Sequence, residues 1–423
     1  MPTVTVKAEK MVYGGDCIAK LEGKTIFIPY AIPGEVLEVE IVKEMRDYCT
    51  ARIVQIKEKS EHRVNPFCPL YGRCGGCNMQ HIDDEYQREL RSQILKDAFS
   101  REGIQVPEIH QIYGLTKGYR ARFQFHNGGL MEKSSNEIVF PANCPCATSE
   151  VNRYLEETKA EDRPKGRVHV FGCKEISSIP EGYDKLVIAE EAEKEYREKS
   201  NENSKSQRRT PGGRLMKKQK KIAARFSGTN LHNANICTVS LNGKKITFDV
   251  KGFFQSNLDV LSKTIPAVLE GLEGKNVLDM YAGCGTFSTF LADKFENVIL
   301  VEHNRDALVY AEQNMAEKKH ESYGVSGENW VKMHAQNCIA EKGNFDAVVI
   351  DPPRSGMEKS VCQWLCHSSI PQIRSISCDI ATHARDAKFL IKNGYNLEKL
   401  YLLDFYPQTC HIESLGVFTK NQI

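Results

Sequence analysis

The chain has 423 residues, and 57 Lys+Arg against 55 Asp+Glu leave a formal net charge of +2, which excludes a histone-like polycation. Hydrophobics at 41% and charged residues at 26% exclude a fibrous or wholly disordered chain, and the length suits two to four domains with sizeable cores. No apolar run approaches the ~18 residues that span a bilayer, and the start, Met1-Pro2-Thr3-Val4-Thr5-Val6-Lys7, has no basic stretch followed by an apolar core, so a cytoplasmic setting without membrane contact is expected.

Residues 1–60 read as short strands. Val4/Val6, Ile26/Ile28, Val36/Leu37/Val39/Ile41 and Ile53/Val54/Ile56 form apolar or alternating runs, and Gly14-Gly15, Glu22-Gly23-Lys24 and Ile32-Pro33-Gly34 punctuate them as turns. So many strands in so short a stretch predict a small closed β-barrel of the kind that binds oligonucleotides.

The second region, 61–250, opens on cysteines. The chain has fifteen, and an odd number cannot pair completely. In a cytoplasmic protein, thiols more often bind metal or do chemistry than form disulfides. Cys68-x5-Cys74-Gly75-Gly76-Cys77 is compact and glycine-bearing, and a fourth ligand would come from Asn143-Cys144-Pro145-Cys146. Three close cysteines with a remote one beside proline fit an iron–sulfur centre, and zinc would use the same ligands. A helix is predicted from Asp83-Asp84 through Tyr86, Leu90, Ile94, Leu95 and Phe99, closing at Gly103. Tyr119–His126 then alternates with period two, placing Tyr/Ala/Phe/Phe on one face and Arg/Arg/Gln/His on the other, which predicts a half-buried strand with a solvated polar face. From Ser204 to Arg225 there are nine Lys/Arg and no acid. The stretch 190–225 reads as a flexible loop, either a contact for RNA phosphates or a solvated insertion.

The third region, 251–423, alternates strands and helices. Strands are predicted at 276–281, 297–302, 330–334, 345–350 and 373–377, with helices such as 305–317 and 382–392 between them. That pattern predicts an open, Rossmann-like parallel α/β sheet with its ligands beyond the carboxyl ends of the strands. Asp279-Met280-Tyr281 runs into Ala282-Gly283-Cys284-Gly285-Thr286, a strand, a Gly-x-Gly turn and a helix. Such glycines let backbone approach a ligand. Glu302 ends the next strand 23 residues after Asp279, where an acid can hold the two hydroxyls of a ribose. The third glycine of a dehydrogenase fingerprint is missing, because position 288 is Ser, and no Gly-Lys-Ser/Thr phosphate loop is present. The pattern resembles an adenosylmethionine-dependent methyltransferase sheet instead. Asp351-Pro352-Pro353-Arg354 ends another strand on the same rim, and Cys378-Asp379 ends the last parallel one. Further on, Glu413 is an isolated carboxylate in an uncharged stretch. A thiol nucleophile with a separate base suits methylation of a pyrimidine at C5, where thiolate addition at C6 turns C5 into an enolate-like carbon.

Five segments in this order, Phe253-Phe254-Gln255-Ser256-Asn257, Asp279–Phe287, Asp351–Gly356, Ser377–Thr382 and His411-Ile412-Glu413, resemble the RNA (uracil-5-)-methyltransferase family. By that resemblance Cys378 matches the nucleophile and Glu413 the proton-abstracting base, while Gln255, Tyr281, Glu302 and Asp351 match contacts to S-adenosylmethionine. Thr286 and Asn337 match cofactor positions at which the family varies. Ile380 stands where proline is common, and Cys410 precedes His411; neither departure removes a functional group. The resemblance implies a 4Fe–4S cluster on Cys68, Cys74, Cys77 and Cys144, with Cys146 as the alternative fourth ligand and zinc as the alternative occupant. It also makes the first region similar to a TRAM domain. Members with both features resemble those acting on 23S rRNA, tRNA being the other RNA substrate; DNA is not an expected partner. Two other readings compete. Methylation of an exocyclic amine would want an aromatic where Arg354 stands, and a noncatalytic iron–sulfur RNA-binding module leaves the cofactor rim without a role.

Overall fold

The computed structural model describes residues 3–190, 224–226 and 235–421, the segment 224–226 through its backbone alone. Most of the basic stretch, 191–223, lies outside the described residues. Its last part does not continue the expected loop: Ala224–Phe226 is a strand paired antiparallel with Leu186–Glu190.

Six N-terminal strands, Thr3–Lys7, Lys10–Met11, Cys17–Leu21, Lys24–Ile28, Val36–Glu44 and Tyr48–Glu58, form one sheet in the order first, fifth, sixth, fourth, third, second. The first and second are separated by only two residues, so the two edges of the sheet meet in the same stretch of chain and the sheet curls on itself. The alternation seen in the sequence becomes its interior: Val6, Cys17, Ala19, Ile26, Ile28, Leu37, Val39 and Ala51 are buried. The tight turn at Glu22-Gly23 has positive φ at both residues (50° and 84°), the backbone twist that matches a two-residue hairpin.

In the middle of the chain, Arg122–His126, Arg167–Gly172, Leu186–Glu190 and Ala224–Phe226 form a four-stranded sheet covered by the helix Ser149–Glu157. Phe123, Phe125, Val151, Tyr154, Leu155, Val168, Val170 and Ile188 close a small core between them.

The C-terminal sheet has eight strands in the order His320–Tyr323, Phe295–Val301, Gly274–Met280, Ala347–Ile350, Gln372–Ser377, Glu413–Lys420, Tyr395–Leu403, Ile109–Ile112. The first five run parallel, and Glu413–Lys420 is antiparallel to both its neighbours. Two features depart from expectation. The strand predicted at 330–334 is the helix Gly327–Met333. Ser326 caps it by accepting from the Asn329 N–H (3.2 Å), Glu328 pairs with Lys332 one turn on, and Trp330 is buried as a single helical anchor. The edge strand is His320-Glu321-Ser322-Tyr323, whose polar residues carry no period-two apolar signal. The second departure concerns the region 61–250. Its helix Asp84–Arg101, capped by Asp83 as expected, packs on the C-terminal domain with Leu90, Ile94, Leu95 and Phe99 buried in the core shared with the large sheet. The strand Ile109–Ile112 then joins that sheet as an edge. Residues 84–112 therefore belong to the C-terminal layer, because Arg91 finds its buried partner, Asp404, there.

Candidate active site

At the carboxyl ends of the parallel strands, Asp279 is buried and accepts from Ser288 Oγ (2.5 Å). Burial, with Asp351 and Glu302 nearby, pushes its carboxyl up to about 7. Tyr281 then takes a positive φ of 66°, rare for a side-chain-bearing residue, and turns the chain into Ala282-Gly283-Cys284-Gly285. A Cβ on Gly285 would sit 3.1 Å from Ala311 Cα, so the turn packs directly on the following helix. Glu302 Oε2 accepts from the Gly283 N–H (2.9 Å) and Oε1 from the Asn304 N–H (2.6 Å), so the turn and the strand-end acid hold each other in place. Thr286 opens the helix Thr286–Leu291 at this rim.

Asp351 lies on the same rim, pushed up to about 7 by burial and the Glu302 charge. Gln255 reaches in from the loop before the helix Leu258–Leu269; its Nε2 donates to Glu413 Oε2 (3.4 Å), and its Oε1 is buried without a protein partner. Asp279 Oδ1 is likewise buried and unpartnered. The crevice therefore gathers four carboxyl groups, of which Asp279, Asp351 and Glu413 are raised by burial and a neighbouring acid, and two buried acceptors without donors. That donor-poor, negative surface fits a cationic ligand bearing an ammonium and a sulfonium, such as S-adenosylmethionine.

Tyr281 donates its hydroxyl to Glu358, a residue that sequence reasoning missed, and Gly327 leaves no room for a side chain beside that hydroxyl. Asn337 is not brought to the rim. It is exposed on the helix Ala335–Lys342, and the carbonyls of Lys342 and Asn344, just beyond, accept from Asn276 Nδ2 at the opposite, amino end of the central strand. The misplaced strand at 330–334 is the cause: with the true strand ending at Tyr323, the residues at the strand end are Gly324, Val325 and Ser326.

The expected thiol and carboxylate come from neighbouring antiparallel strands. Ser377 lies opposite Ser414, so Cys378 and Glu413 meet at the open end of that ladder. Cys378 is half-buried, and its thiol is pushed up to about 11 by burial and by the Glu413 and Asp351 charges, against the pull of Arg354. Glu413 is 5% exposed and its carboxyl is pushed up to about 8 by burial and Asp351, with the Gln255 hydrogen bond and Arg354 opposing. Asp379 caps the next helix by accepting from the Ala381 and Thr382 N–H groups (3.1 and 2.9 Å). Its other oxygen accepts from the Tyr13 hydroxyl (3.3 Å), so the tip of an N-terminal hairpin reaches the active-site mouth. Nothing in the sequence singled out Tyr13; its only signal is an aromatic before two glycines.

The polar face of the strand around residue 122 is also half-buried rather than solvated. Arg122 Nη2 donates to the Gly252 carbonyl (2.8 Å), three residues from Gln255, and the Arg120 guanidinium covers the Phe123 ring at 4.9 Å. Arg120 lies close enough to lower the pKa of both Cys77 and His411, which places it between the cysteine segment and the approach to Glu413.

All fifteen cysteines are free, and nine are buried. The six half-buried ones are Cys68, Cys74, Cys77, Cys144, Cys378 and Cys410. The first four lie near one another: burial raises the pKa of Cys68 and Cys74, and Cys77 and Cys144 add to it. Cys146 is buried beside them, its Sγ 3.9 Å from Cys77 Sγ, and hydrogen bonding with it lowers the pKa of Cys77 and Cys144. Among the described residues, no three His, Cys, Asp or Glu side chains stand tightly enough to hold a metal ion.

The tRNA (uracil-5-)-methyltransferase family model matches residues 129–422, and a TRAM domain model matches residues 2–54. An RNA methyltransferase of Treponema denticola is 37% identical, covering 98% of this chain and 99% of its own. The 23S rRNA (uracil(1939)-C(5))-methyltransferase RlmD of Photorhabdus laumondii is 27% identical over 99% of this chain and 96% of its own. Among solved structures, a Pyrococcus abyssi tRNA (uracil-54, C5)-methyltransferase in complex with S-adenosyl-L-homocysteine superposes with a TM-score of 0.69 at 22% identity, covering 98% of this chain and all of that one.

Proposed function

The chain belongs to the tRNA (uracil-5-)-methyltransferase family and is an S-adenosylmethionine-dependent RNA (uracil-5-)-methyltransferase, and from that premise we propose that it methylates a uridine of 23S rRNA through a covalent bond between Cys378 and C6. The observation that carries the mechanism is the pairing of Cys378 with Glu413 at the open end of one antiparallel ladder. Uridine C5 is a poor nucleophile. The Cys378 thiolate adds to C6, the C5–C6 π electrons move toward O4, and C5 gains enolate character. When bound, S-adenosylmethionine supplies an electrophilic methyl group on a sulfonium to that carbon. Glu413 then takes the C5 proton, and the thiolate leaves as the C5–C6 double bond returns. The target base must leave its stack to reach a thiol this deep.

Charge explains how two groups with raised pKa values work together. The thiol and the Glu413 carboxyl are held up by burial and by their carboxylate neighbours. A cationic ligand beside them offsets that repulsion and favours thiolate and carboxylate. Gln255, Tyr281, Glu302 and Asp351 are the residues proposed to hold it, with Thr286 at the helix start; Asn337 is left out by its position.

Cys68, Cys74, Cys77 and Cys144 do not form a single-ion site, and they would instead hold the larger 4Fe–4S group that the family resemblance implies, cross-linking the segment before the helix Asp84–Arg101 to the one before Ser149–Glu157. Cys144 shares the half-buried setting of the other three and is taken as the fourth ligand, with the buried Cys146, whose Sγ is 3.9 Å from Cys77 Sγ, as the alternative. The substrate reading rests on the 23S rRNA methyltransferase relatives that align end to end with this chain. Purified enzyme offered unmodified 23S rRNA and tRNA should place 5-methyluridine in the former, and methylation of tRNA alone would reverse the assignment. The same preparation should be brown with absorbance near ~400 nm, whereas a colourless, zinc-loaded protein would replace the cluster.

A further inference from the structure

We infer that Asn78, the residue directly after Cys77, is a positioning residue for the catalytic base, because it fixes the loop 404–411 that leads into Glu413. The inference rests on Glu413 being that base.

The loop is held largely by residues far away in sequence. The backbone N–H groups of Asn78 and Met79 both donate to the Gln408 carbonyl (3.1 and 3.0 Å). Asn78 Oδ1 accepts from the Cys410 N–H (2.9 Å), and its Nδ2 donates to the Gly14 carbonyl at the N-terminal hairpin tip (3.3 Å). One side-chain amide thus joins the N-terminal sheet, the cysteine segment and the base-bearing loop.

Gln408 itself sits at φ 68° in the left-handed region, a conformation that a glutamine keeps only when its surroundings determine it. Those surroundings are complete. Its N–H donates to Gln87 Oε1 (3.1 Å), its Oε1 accepts from Gln87 Nε2 (3.0 Å), and its Nε2 donates to Asp84 Oδ1 (2.7 Å). Two residues, His411 and Ile412, separate the Cys410 anchor from Glu413, so a small shift at the clamp is passed on to the carboxylate. The nucleophile has anchors of its own. Cys378 is fixed by its strand and by the Asp379 helix cap, neither of which bonds Asn78 directly; the clamp reaches that cap only at one remove, through the Tyr13 hydroxyl of the hairpin whose Gly14 carbonyl accepts from Asn78. Loosening the clamp should therefore slow proton removal without slowing thiol addition.

The experiment compares full-length, cluster-loaded enzyme on two RNAs that differ at the target base. With 5-fluorouridine, covalent adduct formation reads the steps up to methyl transfer, because fluorine cannot leave as a proton does. With uridine, turnover reads the whole sequence. Asn78→Ala is expected to form the fluorouridine adduct within about twofold of wild type, to turn over uridine about tenfold more slowly, and to accumulate methylated protein–RNA adduct. Asn78→Asp, which keeps the acceptor for the Cys410 N–H, should recover most of the turnover. Gln408→Gly accepts the left-handed backbone but drops the side-chain bonds to Gln87 Nε2 and Asp84, and it should show the same split, so a poorly folding Asn78→Ala does not end the test. Equal losses on both RNAs, or unchanged uridine turnover, in both variants overturn the inference. Glu413→Gln run in parallel separates the two levels of the argument. If it accumulates adduct and the clamp variants do not, the clamp is wrong; if it accumulates none, the base assignment is wrong.

Discussion

The strand ends carrying Asp279, Glu302, Asp351 and Cys378 and the loop entering Glu413 face one crevice, but different forces hold them. The strand ends inherit their positions from a hydrogen-bonded parallel sheet with an apolar interior, where Val277, Leu278, Val298, Ile299, Val348 and Val349 are buried. The loop 404–411 has no such ladder. It is held by side chains that arrive from far away in sequence: Asn78, Gln87, Arg91 and Tyr119, the last through a hydroxyl bond to the Pro407 carbonyl (2.8 Å). A regular scaffold tolerates change at single positions. A loop fixed by a few buried polar contacts does not, because each lost partner leaves another buried group unpaired.

The largest expected effect follows from that contrast. Arg91 makes a two-point ion pair with Asp404 (2.7 and 2.9 Å), with both side chains nearly sealed from water at 1% and 2% exposure. Arg91→Met should cost about 3–5 kcal/mol in urea unfolding, mainly by stranding the Asp404 charge, and adding Asp404→Leu should restore much of it. A loss below about 1 kcal/mol would mean that the loop does not depend on its distant partners.

A smaller effect is expected where the rim meets the loop. The folded Glu413 carboxyl lies near 8, above its ordinary 4.5, so the folded state holds a proton that the unfolded chain releases. Folding is therefore favoured at low pH, and this contribution is lost as pH rises from about 4.5 through about 8. Glu413→Gln removes the penalty, so its melting temperature should exceed wild type by on the order of 2–5 °C at pH 9, with little difference at pH 4. A difference independent of pH would show that the raised carboxyl is not the cause.

The smallest effect is at Asn337, exposed on a helix that leads away from the rim. Asn337→Ala should leave kcat/KM within about twofold of wild type. A loss of tenfold or more would place that helix at the cofactor after all.

How much of this was legible in the sequence divides along the same line. The rim was readable because the parallel strands could be placed from sequence and the expected site residue comes next in the chain, as the apolar Ala347–Ile350 runs into Asp351 and the mixed Gln372–Ser377 into Cys378. Where that signal was weak the reading slipped: the polar edge strand His320–Tyr323 was passed over for the apolar run beginning at Trp330, and Asn337 was misplaced with it. The loop was unreadable for a different reason. Asn78, Gln87 and Gln408 are ordinary amides in sequence, and what joins them is a fold that brings together residues 321 positions apart. The reach of Tyr13 to Asp379, 366 positions away, was hidden in the same way.

The central claim is that Cys378 attacks C6 and Glu413 later removes the C5 proton. The most direct measurement is covalent capture on RNA carrying 5-fluorouridine at the target position, followed by peptide mapping of the adduct. The account expects a stable one-to-one protein–RNA adduct on the peptide containing Cys378, absent from Cys378→Ala. An adduct that persists in Cys378→Ala, or that maps to Cys410, would contradict it.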